Sequence, residues 1–202
     1  AVNNFNNAGG LDGRNIELII RDSRAKPHEA ARVSRDFINS DKVDAIINAE
    51  ASGASFAVQE VVRESGTLCL HSVSETTSLT ANPSIRAWNT FRFSRQGIHD
   101  SVGSARYAAK IAEEKGLKTW MSVNPDYAYG RDSDDTFFWA LEQFSPGSKI
   151  IGKGWPKIFQ PDYTEVITQI ARKKPDAVYT SLWGGDLVSF IDQASLYGIF
   201  KN

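Results

Sequence analysis

The chain has 202 residues, enough for one large domain or two small ones, and 41% hydrophobic composition is sufficient for a sizeable core. Its 23 basic and 24 acidic residues leave a net charge of −1 without a long run of either sign. That balance argues against a nucleic acid partner or an anionic membrane surface. The longest apolar runs, such as Ala45-Ile46-Ile47 and Leu68-Cys69-Leu70, are far shorter than the roughly 20 residues of a membrane helix.

In chain order, the first feature is glycine-rich: Ala8-Gly9-Gly10-Leu11-Asp12-Gly13. It follows a helical stretch and precedes a β-rich one, the reverse of the order in a dinucleotide loop. The run Ile16-Glu17-Leu18-Ile19-Ile20 predicts a strand. Pro27 is placed to open a helix whose Ala30, Val33 and Phe37 share one face. A second strand is expected over Val43–Ile47. A helix then begins near Ser52-Gly53-Ala54-Ser55, carries Phe56, Val58, Val61 and Val62 on an apolar pattern, and ends at Gly66. Thr67–Leu70 predicts the next strand.

The rhythm breaks between His71 and Arg95. This stretch is rich in Ser, Thr, Asn and Pro and holds only the short run Phe91-Arg92-Phe93. So long a segment without a helix is usually a functional loop or a crossing between domains, and a boundary is expected near Ser94. Beyond it a helix closes at Gly116, and strands are expected at Lys118–Val123, Lys149–Ile151 and Asp176–Thr180, the last preceded by Pro175. Helical patterns follow with Phe137, Leu141 and Phe144, and with Leu187, Phe190, Ile191, Ala194 and Tyr197.

Most intervals between strand starts are close to the ~30 residues of a strand-helix-strand unit, which predicts an α/β protein with parallel sheets flanked by helices. Residues 1–93 would then hold three strands and residues 94–202 three more. Each set is too small for a complete doubly wound domain, so further strands are expected beyond both ends. The sequence lacks an initiating Met and a signal-peptide pattern, as a mature chain or a piece of a longer one would.

Few residues suggest covalent chemistry. Cys69 is the only cysteine, and its apolar neighbours predict a buried strand thiol instead of a nucleophile. His28, His71 and His99 lack metal-ligand spacing. The chain has neither a G-x-S-x-G elbow nor a phosphate-binding lysine loop. A non-enzymatic protein without metal or cofactor is expected, with an enzyme as the rival reading.

The stretch Asn6-Asn7-Ala8-Gly9-Gly10-Leu11-Asp12-Gly13-Arg14-Asn15-Ile16-Glu17-Leu18 resembles the end of the first helix and start of the second strand in type I periplasmic binding proteins of the Leu/Ile/Val-binding group. Asp126-Tyr127-Ala128-Tyr129-Gly130-Arg131 is similar to the segment after the first strand of their second domain. Trp183-Gly184-Gly185-Asp186, with Gln193-Ala194, resembles a later strand-to-helix turn. The similarity runs in order along nearly the whole chain. It implies two Rossmann-like lobes, 1–93 lacking its first strand and 94–202 incomplete, which close by a hinge on a small molecule.

For such a protein the resemblance implies a secreted, periplasmic or extracellular solute carrier that delivers an amino acid or related small carboxylate to an ABC permease. A sensor domain of the same fold is the other reading. Ser52, Gly53 and Ser55 lie at a helix start, where free N–H groups and the helix dipole favour a carboxylate; the family's matching serine binds ligand. Val73, Ser74 and Glu75 lie in the loop after the next strand, where the family receives ammonium and carboxylate groups. Glu75 departs from the usual threonine: it suits an ammonium but would repel a buried carboxylate. Across the cleft Tyr129 and Trp183 are the aromatic candidates, with Tyr127 a weaker one and Asp186 a helix cap.

Overall fold

The structure, a computed structural model, describes residues 1–200. It contains two three-stranded parallel sheets, as expected for two α/β lobes. The first holds β1 (Ala45–Asn48), β2 (Leu68–His71) and β3 (Thr90–Arg92) in that spatial order. The second holds β4 (Thr119–Val123), β5 (Lys149–Gly154) and β6 (Ala177–Thr180) in the order β5-β4-β6.

Helices follow the strands as the spacing predicts. In the first lobe α1 (Val2–Asn7) precedes α2 (Pro27–Asn39), which Pro27 opens at its first turn. Next come α3 (Ser52–Ser65) and the single turn α4 (Ser78–Ala81), which falls within the stretch expected to lack helix. In the second lobe α5 (Gly97–Lys115), α6 (Ala128–Phe144), α7 (Thr164–Lys173) and α8 (Gly184–Leu196) alternate with the strands. Gly66 and Gly116 terminate α3 and α5 at φ of 76° and 69°, where a side chain would be strained.

The second sheet is covered on both faces. Trp120 packs among Ala105, Ala109, Phe137 and Leu141 of α5 and α6, whereas Met121 and Val123, one pleat on, pack against Val166, Ile167, Ile170, Phe190 and Ala194 of α7 and α8. Leu187 packs at the edge of this core, but Phe144, Ile191 and Tyr197 are exposed, so the helical periodicity overstated the buried stripes at their margins. In the first sheet Ile46 and Cys69 pack with Ala30, Ala54, Val58 and Val62, while Ile47, Leu68 and Phe91 project from the opposite, open face.

The strand expected at Ile16–Ile20 does not form. Within that segment Ile16, Leu18 and Ile20 are exposed, and a cavity separates the segment from the edge strand β1. A strand is defined by its partner's N–H and C=O groups, and no chain lies close enough to supply them. The segment is tied down otherwise. Asn6 accepts from the Ile16 N–H (2.8 Å) and donates to its carbonyl (2.9 Å), and Arg21 pairs with Asp41 while its guanidinium lies over Phe37 at 4.8 Å. The first sheet reaches three strands through β3 instead.

Candidate functional site

Both lobes present the carboxyl ends of their strands to one large cavity of about 1560 Å³. That exceeds the roughly 300–1,000 Å³ of an ordinary small-molecule pocket. The excess has a structural origin, because the gap between Ile16–Arg21 and Val43–Asn48 is continuous with the cleft between the lobes. The cleft portion is lined from the first lobe by Ser52, Val73, Ser74 and Glu75 and from the second by Tyr127, Tyr129, Phe159 and Trp183.

The first wall is built on α3. Ala51 is its N-cap residue and supplies no side-chain cap, so the first-turn N–H groups keep their unsatisfied hydrogens. Ser52 therefore sits inside the first turn and is not the N-cap. Its Oγ accepts from the Thr76 N–H at 3.2 Å and from the Ser74 hydroxyl at 3.4 Å. With two bonds accepted, the Ser52 hydroxyl proton has no acceptor among the described residues.

Gly53 and Ser55 have different places. Gly53 lies in the same first turn but off the cavity wall. Ser55 is fully buried beneath it: its hydroxyl donates to the Glu50 carbonyl (3.1 Å) and accepts from Asn48 Nδ2 (3.0 Å). A hydroxyl so occupied ties helix to strand and does not reach the cleft, which corrects the expectation drawn for Ser55.

Glu75 is the charged group of this wall. Arg95 holds its Oε1 at 3.0–3.1 Å and also reaches Asp100 at 3.1 Å. Oε2 is buried without a hydrogen-bond partner among the described residues. Neighbouring loop groups are fixed from the crossing between lobes: Arg92 donates to the carbonyls of Ser74 (2.8 Å) and Thr76 (2.6 Å), and the Gly97 N–H donates to the Glu75 carbonyl (3.0 Å).

The second wall follows β4 and β6, neighbours in the sheet where the connection reverses direction, the usual ligand edge of an open α/β sheet. Trp183 Nε1 donates to the Tyr127 hydroxyl at 3.0 Å, and the Tyr127 and Tyr129 rings lie 5.9 Å apart at 49°. Tyr127 thus has a defined part as the support of Trp183. Phe159 stands edge-on to Trp183 at 6.1 Å. Burial pushes the Tyr127 and Tyr129 hydroxyls above the usual phenol range, and the Glu75 charge adds to the shift, so both stay neutral donors at physiological pH.

Asp186 does not cap α8. It accepts the Phe159 N–H through Oδ2 (2.9 Å) and Oδ1 (3.2 Å), fixing Phe159 at a φ of 61° beside Trp183. Sequence reasoning missed Phe159 and Arg95, since both lie in irregular segments outside any periodic pattern; Phe159's apolar ring in a loop between Pro156 and Pro161 was the available signal. Cys69 lies fully buried in β2, where burial pushes its thiol up to about 12. No group of three or more His, Cys, Asp or Glu side chains is arranged for a metal ion among the described residues.

Two lobes with parallel sheets meet at a cleft, with the uncapped start of α3 on one side and aromatic rings on the other, the architecture of a two-lobed α/β protein. The chain belongs to the periplasmic binding protein family, whose model matches residues 1–202. Among curated relatives, it is 25% identical over 188 residues to the Leu/Ile/Val-binding protein homolog 2 of Brucella abortus (strain 2308), a match covering 92% of this chain and 47% of that protein. The chain thus spans about half the length of the curated relatives it matches.

Solved structures share the fold. An ABC transporter solute-binding protein of Rhodopseudomonas palustris BisB5 in complex with 3,4-dihydroxybenzoic acid superposes with a TM-score of 0.83 at 23% identity, covering 96% of this chain and 51% of that one. The branched-chain amino acid transporter substrate-binding protein of Streptococcus pneumoniae in complex with isoleucine gives 0.77 at 21% identity, covering 98% and 54%.

Proposed function

We propose that this chain forms the ligand-binding part of an extracytoplasmic solute-binding protein, which carries a small amino acid or related carboxylate to an ABC permease and does not transform it. Residues 1–93 would make one lobe and 94–202 the other, closing on the solute by rotation about the crossing near Ser94. Names of the relatives support the solute class, since they include Leu/Ile/Val-binding proteins and proteins in complex with benzoates.

The observation that carries the reading is the pairing across one cleft of the bare α3 terminus and Ser52 with Trp183 and Tyr129. A solute carboxylate at α3 meets free N–H groups and the Ser52 proton, which stabilise an anion without a counter-charge. The rest of the solute lies against aromatic rings, which contribute large apolar area. The unpartnered Oε2 of Glu75 favours a solute with a donor, above all an ammonium, over a plain carboxylate. Val73 and Ser74 complete the first wall, Gly53 contributes its first-turn N–H from behind it, and Ser55 supports it from below.

Calorimetry and thermal shift on the protein expressed from its complete reading frame test this, with leucine, phenylalanine, benzoate and 4-hydroxybenzoate as probes. A solute at a hundredfold excess over its Kd stabilises the folded state by about 2.7 kcal/mol. At least one probe should bind, and Trp183→Ala should weaken it by about tenfold or more, in keeping with loss of a buried aromatic contact. Absence of any response, or a Trp183→Ala variant with unchanged affinity, would reject the proposal.

A further inference from the structure

The hydrogen bonds that build the Ser52 seat extend into the opposite lobe. Thr76 is fully buried and commits its polar groups in three directions. Its N–H donates to Ser52 Oγ (3.2 Å), its carbonyl accepts from Arg92 (2.6 Å), and its hydroxyl donates to Asp132 Oδ2 (2.5 Å). The next N–H, that of Thr77, donates to the same Oδ2 at 3.1 Å. Thr76 and Thr77 belong to the loop after β2, whereas Asp132 lies on α6, three residues beyond Tyr129.

We propose that Asp132 is a positioning residue for the solute. By gathering two donors of the first lobe on one carboxylate oxygen it latches the lobes, and through Thr76 it fixes the direction of the Ser52 donor. This rests on reading the cleft as the solute site. Bonds to an ionised acceptor are stronger than neutral ones, and the ion pairs of α6 use Arg131, Asp134 and Asp135, none of them Asp132, among the described residues. The charge of Asp132 is therefore answered chiefly by the other lobe. Because Ser52 Oγ accepts from Thr76, a shift of Thr76 changes where the remaining Ser52 proton points. Lobe contact and seat geometry are then one event, and a solute held by Ser52 favours the latched arrangement.

The neighbouring acids show that this placement is particular to Asp132. Asp134 is buried and pairs with Lys153, while Asp135 is 83% exposed. Asp135→Ala is accordingly the control. Two readouts separate a latch from a merely structural residue, both on the protein from its complete reading frame. The first is the distance between spin labels at Glu60→Cys on α3 and Lys110→Cys on α5, measured without solute; both positions are exposed, and the native Cys69 is buried. The second is the dissociation rate of leucine or 4-hydroxybenzoate, whichever binds the parent.

Asp132→Ala is expected to lengthen and broaden the distance distribution and to speed dissociation about tenfold, with a smaller change in association. Asp132→Asn should recover much of both, since its amide oxygen can accept the same two bonds. Thr76→Val should add little in the Asp132→Ala background, because the two share one interaction. If Asp132→Ala matches Asp135→Ala in distance and dissociation rate, the latch is refuted. If the parent binds neither leucine nor 4-hydroxybenzoate, the ligand-free distances alone decide the latch, and unchanged distances in Asp132→Ala refute it; the solute reading itself fails only when none of the four probes binds.

Discussion

His71 lies in β2 with no exposed surface, and its two nitrogens have assigned partners. Gln59 uses Nε2 to donate to the carbonyls of Leu79 (2.7 Å) and Ile85 (2.8 Å), so its Oε1 faces His71 Nε2 at 3.0 Å and requires a proton there. Asn48 Nδ2 approaches Nδ1 at 2.8 Å as a donor and requires a lone pair. The ring is thus held as the neutral Nε2–H tautomer. Protonation at Nδ1 would set two donors against each other, and burial, with a smaller contribution from Arg92, pushes the imidazole down to about 4.

Because the folded pKa lies below the unfolded value of about 6.5, the unfolded chain takes up a proton first as pH falls. Stability from the neutral ring is complete above pH 6.5 and is lost progressively down to about pH 4. The 2.5-unit separation from the ordinary 6.5 corresponds to about 3 kcal/mol across that window. Urea midpoints of the parent and His71→Gln, taken at intervals from pH 7 to 4.5, would isolate this component: the variant should have a flatter profile, whatever its stability at pH 7. The imidazole's own proton resonance supplies an independent reading and should not titrate above pH 5. A His71 resonance with a midpoint near 6.5, or parallel pH profiles for both proteins, would refute the reasoning.

Other outcomes follow from local geometry. A Cβ at Gly130 would stand 1.9 Å from the Pro125 carbonyl oxygen, so Gly130→Ala must move backbone at the start of α6; a loss of about 2 kcal/mol or more is expected by chemical denaturation, with weaker solute binding because Tyr129 is displaced. A variant as stable as the parent would show that this turn yields easily. Cys69 should resist a soluble thiol reagent in the native protein and react after unfolding in urea, since its burial excludes reagent and suppresses thiolate. Rapid native labelling would contradict its placement. Glu75→Gln should lower affinity for leucine more than for benzoate, by about tenfold between the two; equal effects would remove Glu75 from solute selection.

Strands with a neighbour were legible in the sequence, as were most helices, because alternation and helical spacing are properties of a segment and its own face. Pro27, Gly66 and Gly116 marked ends for local reasons and were read correctly. Pairing is a property of two segments. Ile16–Ile20 has the composition of a strand but faces an open gap, and its alternation carries no information about whether the facing edge is filled. The cleft residues followed the same division. Ser52, Glu75, Tyr129 and Trp183 lie just beyond strand ends, where topology alone concentrates them, and they line one cavity. Ser52 and Ser55, three apart on one helix, differ only in which way each hydroxyl is drawn, and that depends on Glu50 and the Thr76 loop.

The run Asp132-Ser133-Asp134-Asp135 carries that limit furthest. Three carboxylates within four residues are equivalent in composition, yet a helix turns about 100° per residue and sends them to different surroundings. Asp134 enters the core, where Asn124 Nδ2 donates to it at 3.0 Å and Lys153 pairs with it; Asp135 faces solvent; Asp132 meets the other lobe. What distinguishes them is where the first lobe lies relative to α6, which no periodicity within α6 can encode. The two walls of the cleft are therefore unequal as sequence signals. Most residues that would touch solute, Phe159 excepted, sit just beyond strand ends and can be found by counting, while those that hold the walls in register, Arg92, Arg95, Asp132 and Asp186, each bond a loop group 16 to 56 residues away in the chain.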